Sequence, residues 1–130
     1  MTNLEKIILN IAENKTPCVF VSPHLDDAIF SAGGLISEIS GKTDVTIATL
    51  FTKAGSLPQT LSAKAHLKHS GYGGVSAEEL MSARRAEDIR VCKMAGANYN
   101  HLEFTDALWR KKEKMGLLGK VLKKIFPEIN

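Results

Sequence analysis

The sequence is most informative at first through what it lacks. No run approaches the ~18–20 consecutive apolar residues that a membrane span needs. The N-terminal MTNLEKIILNIAENK is amphipathic and carries acidic residues. It has neither the basic start, the apolar centre nor the small-residue cleavage site of a secretory leader, and a cytoplasmic protein is expected. There are only two cysteines, Cys18 and Cys92, and no CxxC spacing. A disulfide framework or a thiolate metal site is therefore not expected, and both thiols read as small buried hydrophobes. Internal repeats and low-complexity tracts are absent, which argues against a solenoid or a disordered linker. Nor is the body of the chain basic. Of the formal charge of +3, residues 110–130 hold seven basic against two acidic side chains, which leaves residues 1–109 at −2. A nucleic-acid surface on the main body is excluded on those grounds.

What is present suits one ordinary globular domain. The chain has 130 residues, 44% hydrophobic and 24% charged, enough to bury roughly two-thirds of its unfolded surface. Leu4, Ile7, Ile8 and Ile11 recur at helical spacing behind a Thr2/Glu5 capping box, and Lys15-Thr16-Pro17 ends that helix. The apolar run CVFVS at 18–22 predicts a strand buried on both faces. A second helix places Ile29, Ala32, Gly33, Ile36 and Ser40 on one face, with Gly33 and Gly34 allowing close packing on a sheet. DVTIATLF at 44–51 predicts a second strand. Residues 52–75 show no clear period and read as a long lid or binding loop. Ser76 and Glu79 form another capping box, opening a helix that stops at Gly96, and 99–104 predicts a third strand. Such alternation predicts an α/β fold, a Rossmann-like parallel sheet with helices on both faces.

Chemistry concentrates in Val21-Ser22-Pro23-His24-Leu25-Asp26-Asp27-Ala28, between the first strand and the second helix. Open α/β sheets bind ligands beyond the carboxyl ends of their strands, and this turn falls there. An imidazole and two carboxylates within four residues suit a cation such as zinc. Adjacent carboxylates repel each other unless a cation or hydrogen bonds offset them. The plainer reading is that Asp26 or Asp27 caps the helix. That accounts for one aspartate and leaves His24 unexplained.

Pro23-His24-Leu25-Asp26-Asp27 resembles the His-Pro-Asp-Asp-Glu signature of the LmbE/PIG-L deacetylases. So do Ser31-Ala32-Gly33-Gly34, Ala83-Arg84-Arg85-Ala86-Glu87-Asp88 and Leu102-Glu103-Phe104-Thr105-Asp106-Ala107, in the family's order, across about Pro17 to Arg110. The resemblance implies a Rossmann-like zinc hydrolase acting on N-acetylglucosamine-containing substrates or related amides. It implies one Zn2+ per chain, or another divalent metal, on His24 and Asp27, with Asp26 as general base. Leu25 stands where the family has proline, and Ala28 where it has glutamate. The family pattern also puts Arg84, held by Glu87, beside a small amino-sugar or glycoconjugate substrate, and Asp106, at the carboxyl end of the third strand, is expected to line the same pocket. From spacing alone, Arg84 and Glu87 equally make an exposed helical ion pair within a Leu80–Met94 stripe, and Asp106 a turn aspartate.

The resemblance further implies a third ligand, a histidine well downstream of the last matching segment, beyond Asn130. The chain is thus expected to be the N-terminal portion of one such domain, truncated at its C-terminus. His66 and His69 have a local metal-binding spacing but fall in the long loop, and His101 reads as a structural histidine within the third strand. In residues 110–130, Leu117, Leu118, Val121, Leu122 and Ile125 make an amphipathic basic helix. It packs on further structure or, as the alternative, lies on an anionic membrane. Two rival functions remain: a fragment binding metal or sugar without turnover, and an aspartate phosphoacceptor domain, which His24 fits poorly. Oligomeric state and the identity of the acyl substrate have no signal.

Overall fold

A computed structural model describes residues 1–55, 61–69 and 71–109. The expected basic helix of residues 110–130 lies outside the described residues. The chain runs α1 (Asn3–Asn14), β1 (Cys18–His24), α2 (Asp27–Ser40), β2 (Val45–Lys53), α3 (Leu61–His69), α4 (Ala77–Met94) and β3 (Asn98–Thr105), then a 3-10 turn (Ala107–Trp109).

Local chemistry explains most boundaries. The Thr2 hydroxyl accepts the Glu5 N–H while the Glu5 carboxylate accepts the Thr2 N–H, and Ser76 and Glu79 repeat the arrangement at α4. Each closes two donors that a helix start leaves unpaired. At the other end of α4 the chain turns through Gly96, whose φ of 75° suits glycine.

The three strands form a parallel sheet in the order β1-β2-β3. Cys18, Phe20 and Ser22 align with Val45, Ile47 and Thr49, and Ile47 and Thr49 with Tyr99 and His101. Successive crossovers of one hand in one direction place α2 and α4 on the same side. There Ile36, Ile39, Val45, Ile47, Cys92 and Ala97 form the main core, with Phe20 packed against it. A second cluster of Leu25, Ala54, Leu67, Ala77, Leu80, Met81 and Trp109 lies at the carboxyl ends of the strands. It is the floor on which the candidate site rests.

Several expectations need correction. β1 is not buried on both faces: Val19 and Val21 are 65% and 66% exposed. They point to the side opposite α2 and α4, and an apolar run does not by itself say whether a second layer covers it. Residues 61–69, expected in a long loop, are helical. Among the described side chains of α3, Ala63 and Leu67 are the buried ones, and one i, i+4 pair is too little to show a period. The glycine pair does not bring α2 close to the sheet. A side chain at Gly33 would meet only a methyl group of Ile29 at 3.6 Å, and one at Gly34 nothing within 4 Å. The pair instead follows a kink at Ala32 (φ −141°, ψ 15°). On α4 the buried face runs through Ala77, Leu80, Met81, Asp88 and Cys92. The expected stripe fails at its end, where Met94 is exposed, because a buried aspartate hides the true face.

Candidate active site

All three strands end on one edge, at His24, Lys53 and Thr105, and the turns leaving β1 and β3 meet there. The first turn is closed from within by Ser22. Its buried hydroxyl donates to the His24 carbonyl at 2.7 Å and accepts the Ala28 N–H at 3.0 Å, spanning both ends of the turn. Leu25 goes down into the lower cluster. His24 and Asp27 are thereby left half-exposed on the outer side, with His24 Nδ1 at 3.1 Å from Asp27 Oδ2. The same carboxylate oxygen accepts the His24 N–H at 3.2 Å.

Asp106 approaches from β3. The Asp106 N–H donates to the Lys53 carbonyl, and its Oδ1 accepts the Leu108 N–H, capping the 3-10 turn. Oδ2 faces His24 Nε2 at 3.8 Å. The turn reading of Asp106 holds through Oδ1, while Oδ2 faces His24. The His24 ring also leans on Phe51 of β2, with centroids 5.5 Å apart.

Asp26 is the residue with the unusual environment. It occupies the N-cap position of α2, yet its side chain makes no cap bond, and its backbone is left-handed (φ 70°, ψ −13°). Helix capping therefore explains neither its identity nor its orientation. Its Oδ1 is buried without a hydrogen-bond partner. Burial pushes its carboxyl above the ordinary aspartate value, and the Asp88 and Glu87 carboxylates push the same way, against the guanidinium of Arg84.

Arg84 reaches this turn from α4, with Nη2 3.4 Å from the Leu25 carbonyl. Glu87 does not hold it; Glu87 pairs with Arg90 at 3.9 Å. Neighbouring Arg85 instead ties α4 to the Thr52 carbonyl of β2 and pairs with Glu78 on its own helix. His66 and His69 lie exposed on α3. His101 is the satisfied histidine expected from sequence. Its Nε2 sits 2.8 Å from Oδ2 of Asp88, which is 1% exposed. Asp88 Oδ1 in turn accepts the Asp26 N–H at 2.9 Å. Sequence reasoning assigned no role to Asp88 or Ser22. The available signal for Asp88 was a carboxylate between Met81 and Cys92 on what is otherwise an apolar face.

The donor set fits a zinc ion in part. A tetrahedral centre with bonds of about 2.0–2.1 Å has ligand atoms about 3.3 Å apart, close to the 3.1 Å between His24 Nδ1 and Asp27 Oδ2. The orphaned, buried Asp26 oxygen beside them is an acceptor in need of a donor such as water. Among the described residues, no group of three or more His, Cys, Asp or Glu is arranged to hold a metal.

A parallel α/β sheet carrying histidine and aspartate at its carboxyl edge has these residues where open sheets of this class bind their ligands. The chain belongs to the family described as PIG-L: GlcNAc-PI de-N-acetylase, whose pattern matches residues 19–129. This is a family of metal-dependent deacetylases. Over 91 residues the chain is 36% identical to 2'-N-acetylparomamine deacetylase of Streptomyces fradiae, covering 68% of this chain and 29% of that protein. It is similar to a solved deacetylase of teicoplanin biosynthesis (26% identity, TM-score 0.67), across 82% of this chain and 41% of that one. It also resembles a zinc-inhibited form of teicoplanin deacetylase (28% identity, TM-score 0.64), across 74% and 36% of the two chains. The chain thus spans less than half the length of these relatives. Among the described residues, no helix is long and apolar enough to cross a membrane.

Proposed function

We propose that this chain, as a single domain of the family, takes part in zinc-dependent hydrolysis of an N-acyl amide, with acetylated amino sugars or glycoconjugates as the substrate class. His24 and Asp27 hold the metal, Asp26 is the general base, and Arg84 and Asp106 face the substrate. The observation that carries this reading is the division of labour within one turn. Two outward donors lie 3.1 Å apart, beside a carboxylate that has an unpartnered buried oxygen and a raised proton affinity.

Zinc at such a pair supplies Lewis acidity, which brings the pKa of water down to roughly 7 and polarises an amide carbonyl. The protein's own part follows from its geometry. Asp26 accepts the proton lost by the attacking water, and its raised affinity lets it hold that proton near neutral pH better than an ordinary aspartate. The water oxygen bonds to the carbonyl carbon, Asp26 passes the proton to the amide nitrogen, and the C–N bond breaks, leaving acetate and a free amine. Asp106 orients His24 through Nε2, and the guanidinium of Arg84 lies beside the turn to meet a polar or anionic substrate group.

Calorimetric titration of the metal-stripped chain with Zn2+ tests the reading, comparing wild type with His24→Ala and Asp27→Ala. Binding with 1:1 stoichiometry, lost in both variants, is the expected outcome, and acetate release from an N-acetyl amino sugar then tests turnover. Weak binding indifferent to both substitutions would refute the metal assignment. Metal or sugar binding without acetate release would instead support a binding role without turnover.

A further inference from the structure

The carboxylate that controls the turn is not in the turn. We infer that Asp88, braced by His101, is the positioning residue that sets the direction of the Asp26 side chain and the spacing of His24 and Asp27 around it. This rests on the functional reading above and adds a second layer to the same site.

Three elements converge on Asp88. Its Oδ1 accepts the N–H of Asp26, 62 residues earlier. Its Oδ2 lies 2.8 Å from His101 Nε2 on β3 and 3.9 Å from the Cys92 thiol one helical turn along α4. The side chain is 1% exposed, so solvent does not replace any of these partners. A capping aspartate ordinarily turns its carboxylate back onto the N–H groups of its own helix. Asp26 does not, because its left-handed backbone directs the carboxylate elsewhere, and the N–H that fixes this backbone ends on Asp88. The direction of Asp26 is thus decided from α4, and α4 is aligned by β3.

A buried carboxylate is a poor choice if packing were the sole need, since apolar residues of similar volume are often as stabilising. That contrast separates positioning from mere structure. The test uses the metal-free, 15N-labelled chain and three variants: Asp88→Asn, which keeps the volume and one acceptor oxygen, Asp88→Leu, and the double Asp88→Leu/His101→Phe, which also removes the stranded imidazole. Solvent exchange of the Asp26 amide is expected to accelerate at least tenfold in both leucine variants and much less in Asp88→Asn. Amides of Val45 and Ile47 in β2 report whether the fold is kept. Co2+ binding, followed by its visible absorption, is expected to weaken roughly 10–100-fold in the leucine variants, with Asp88→Asn restoring most of the affinity. Unchanged Asp26 exchange and Co2+ affinity within twofold in a folded leucine variant would overturn the inference. So would equal loss in Asp88→Asn and Asp88→Leu. If the wild-type chain itself fails to bind Co2+, the metal reading falls, and the Asp26 exchange comparison still decides whether Asp88 positions the turn. If the leucine variants do not fold, Asp26 exchange in Asp88→Asn within a few-fold of wild type supports the acceptor role, and acceleration of tenfold or more with intact β2 amides refutes it.

Discussion

Leu25 replaces a proline of the family signature and supplies no ligand, yet its truncation is expected to be among the most damaging single changes in the turn. The side chain is 2% exposed and packs in the lower cluster with Ala54, Leu67, Leu80, Met81 and Trp109. Leu25→Ala removes three carbons, or about 2.4 kcal/mol of transfer free energy at ~0.8 kcal/mol each. The incompletely filled cavity adds to that, giving about 3 kcal/mol, inside the ~2–5 kcal/mol range for buried leucines. Domains of this size are stable by only ~5–15 kcal/mol, so the loss is a large share. With a urea slope of about 1.5 kcal/mol/M, the midpoint should fall by roughly 2 M. Val21→Ala is the matched control. Val21 is 66% exposed on the open face, and its change should stay within about 0.5 kcal/mol. Paired urea titrations by circular dichroism decide the matter. A Leu25→Ala loss below about 1 kcal/mol at unchanged slope would show that the turn is not anchored by this side chain, and the account of how His24 and Asp27 are held would fail with it.

The raised proton affinity of Asp26 carries a definite sign. Its native pKa lies above the unfolded value, so the native state binds more protons between the two, and stability falls as pH rises through the native value. In metal-free protein, Asp26→Asn should therefore raise the neutral-pH urea midpoint and flatten its pH dependence; a lowered midpoint would contradict the environment described. The Cys92 thiol is fully buried and pushed up to about 12, chiefly by burial and by Asp88. A disulfide reagent at pH 8 should thus titrate one thiol, that of half-buried Cys18, in native protein and two in denaturant. Gly96→Ala should cost more than ~1 kcal/mol by thermal melting, because φ is 75° and the new methyl would lie 3.2 Å from Ser40 Cβ.

Which parts of this were legible in the sequence follows from the range of the forces involved. Capping boxes at Thr2 and Ser76 are contacts across three residues, and both are present as read. His24, Asp26 and Asp27 share one turn, so their proximity needed no tertiary information. α3 escaped notice because Ala63 and Leu67, its buried residues among those described, make a single i, i+4 pair. The open side of β1 escaped because Val19 and Val21 have the same composition whether covered or bare. Asp88 and His101 were beyond reach for a different reason. Their meeting depends on α4 crossing the sheet at the right angle and on β3 pairing His101 with Thr49, and neither register is written in local spacing. The expected Arg84–Glu87 pair shows the opposite error. Spacing permits it, but Glu87 pairs with Arg90, while Arg84 reaches the Leu25 carbonyl.

The departures from the family signature gain a physical reading from the direction of each side chain in the turn. His24 and Asp27, which match, are half-exposed and face outward, and Asp26 lies between surface and interior. Leu25 and Ala28, which depart, are both buried. Leu25 enters the lower cluster and Ala28 the main core beside Ile36 and Ile47. A glutamate at position 28 would place a carboxylate against that apolar cluster, where only a paired or hydrogen-bonded charge is tolerated. The Ala28 N–H is already committed to Ser22. Alanine fits that apolar environment, and the turn is bonded by Ser22 within it and by Asp88 across from it. The positions that match the signature are thus the outward ones, and the two that depart from it are those packed into the core.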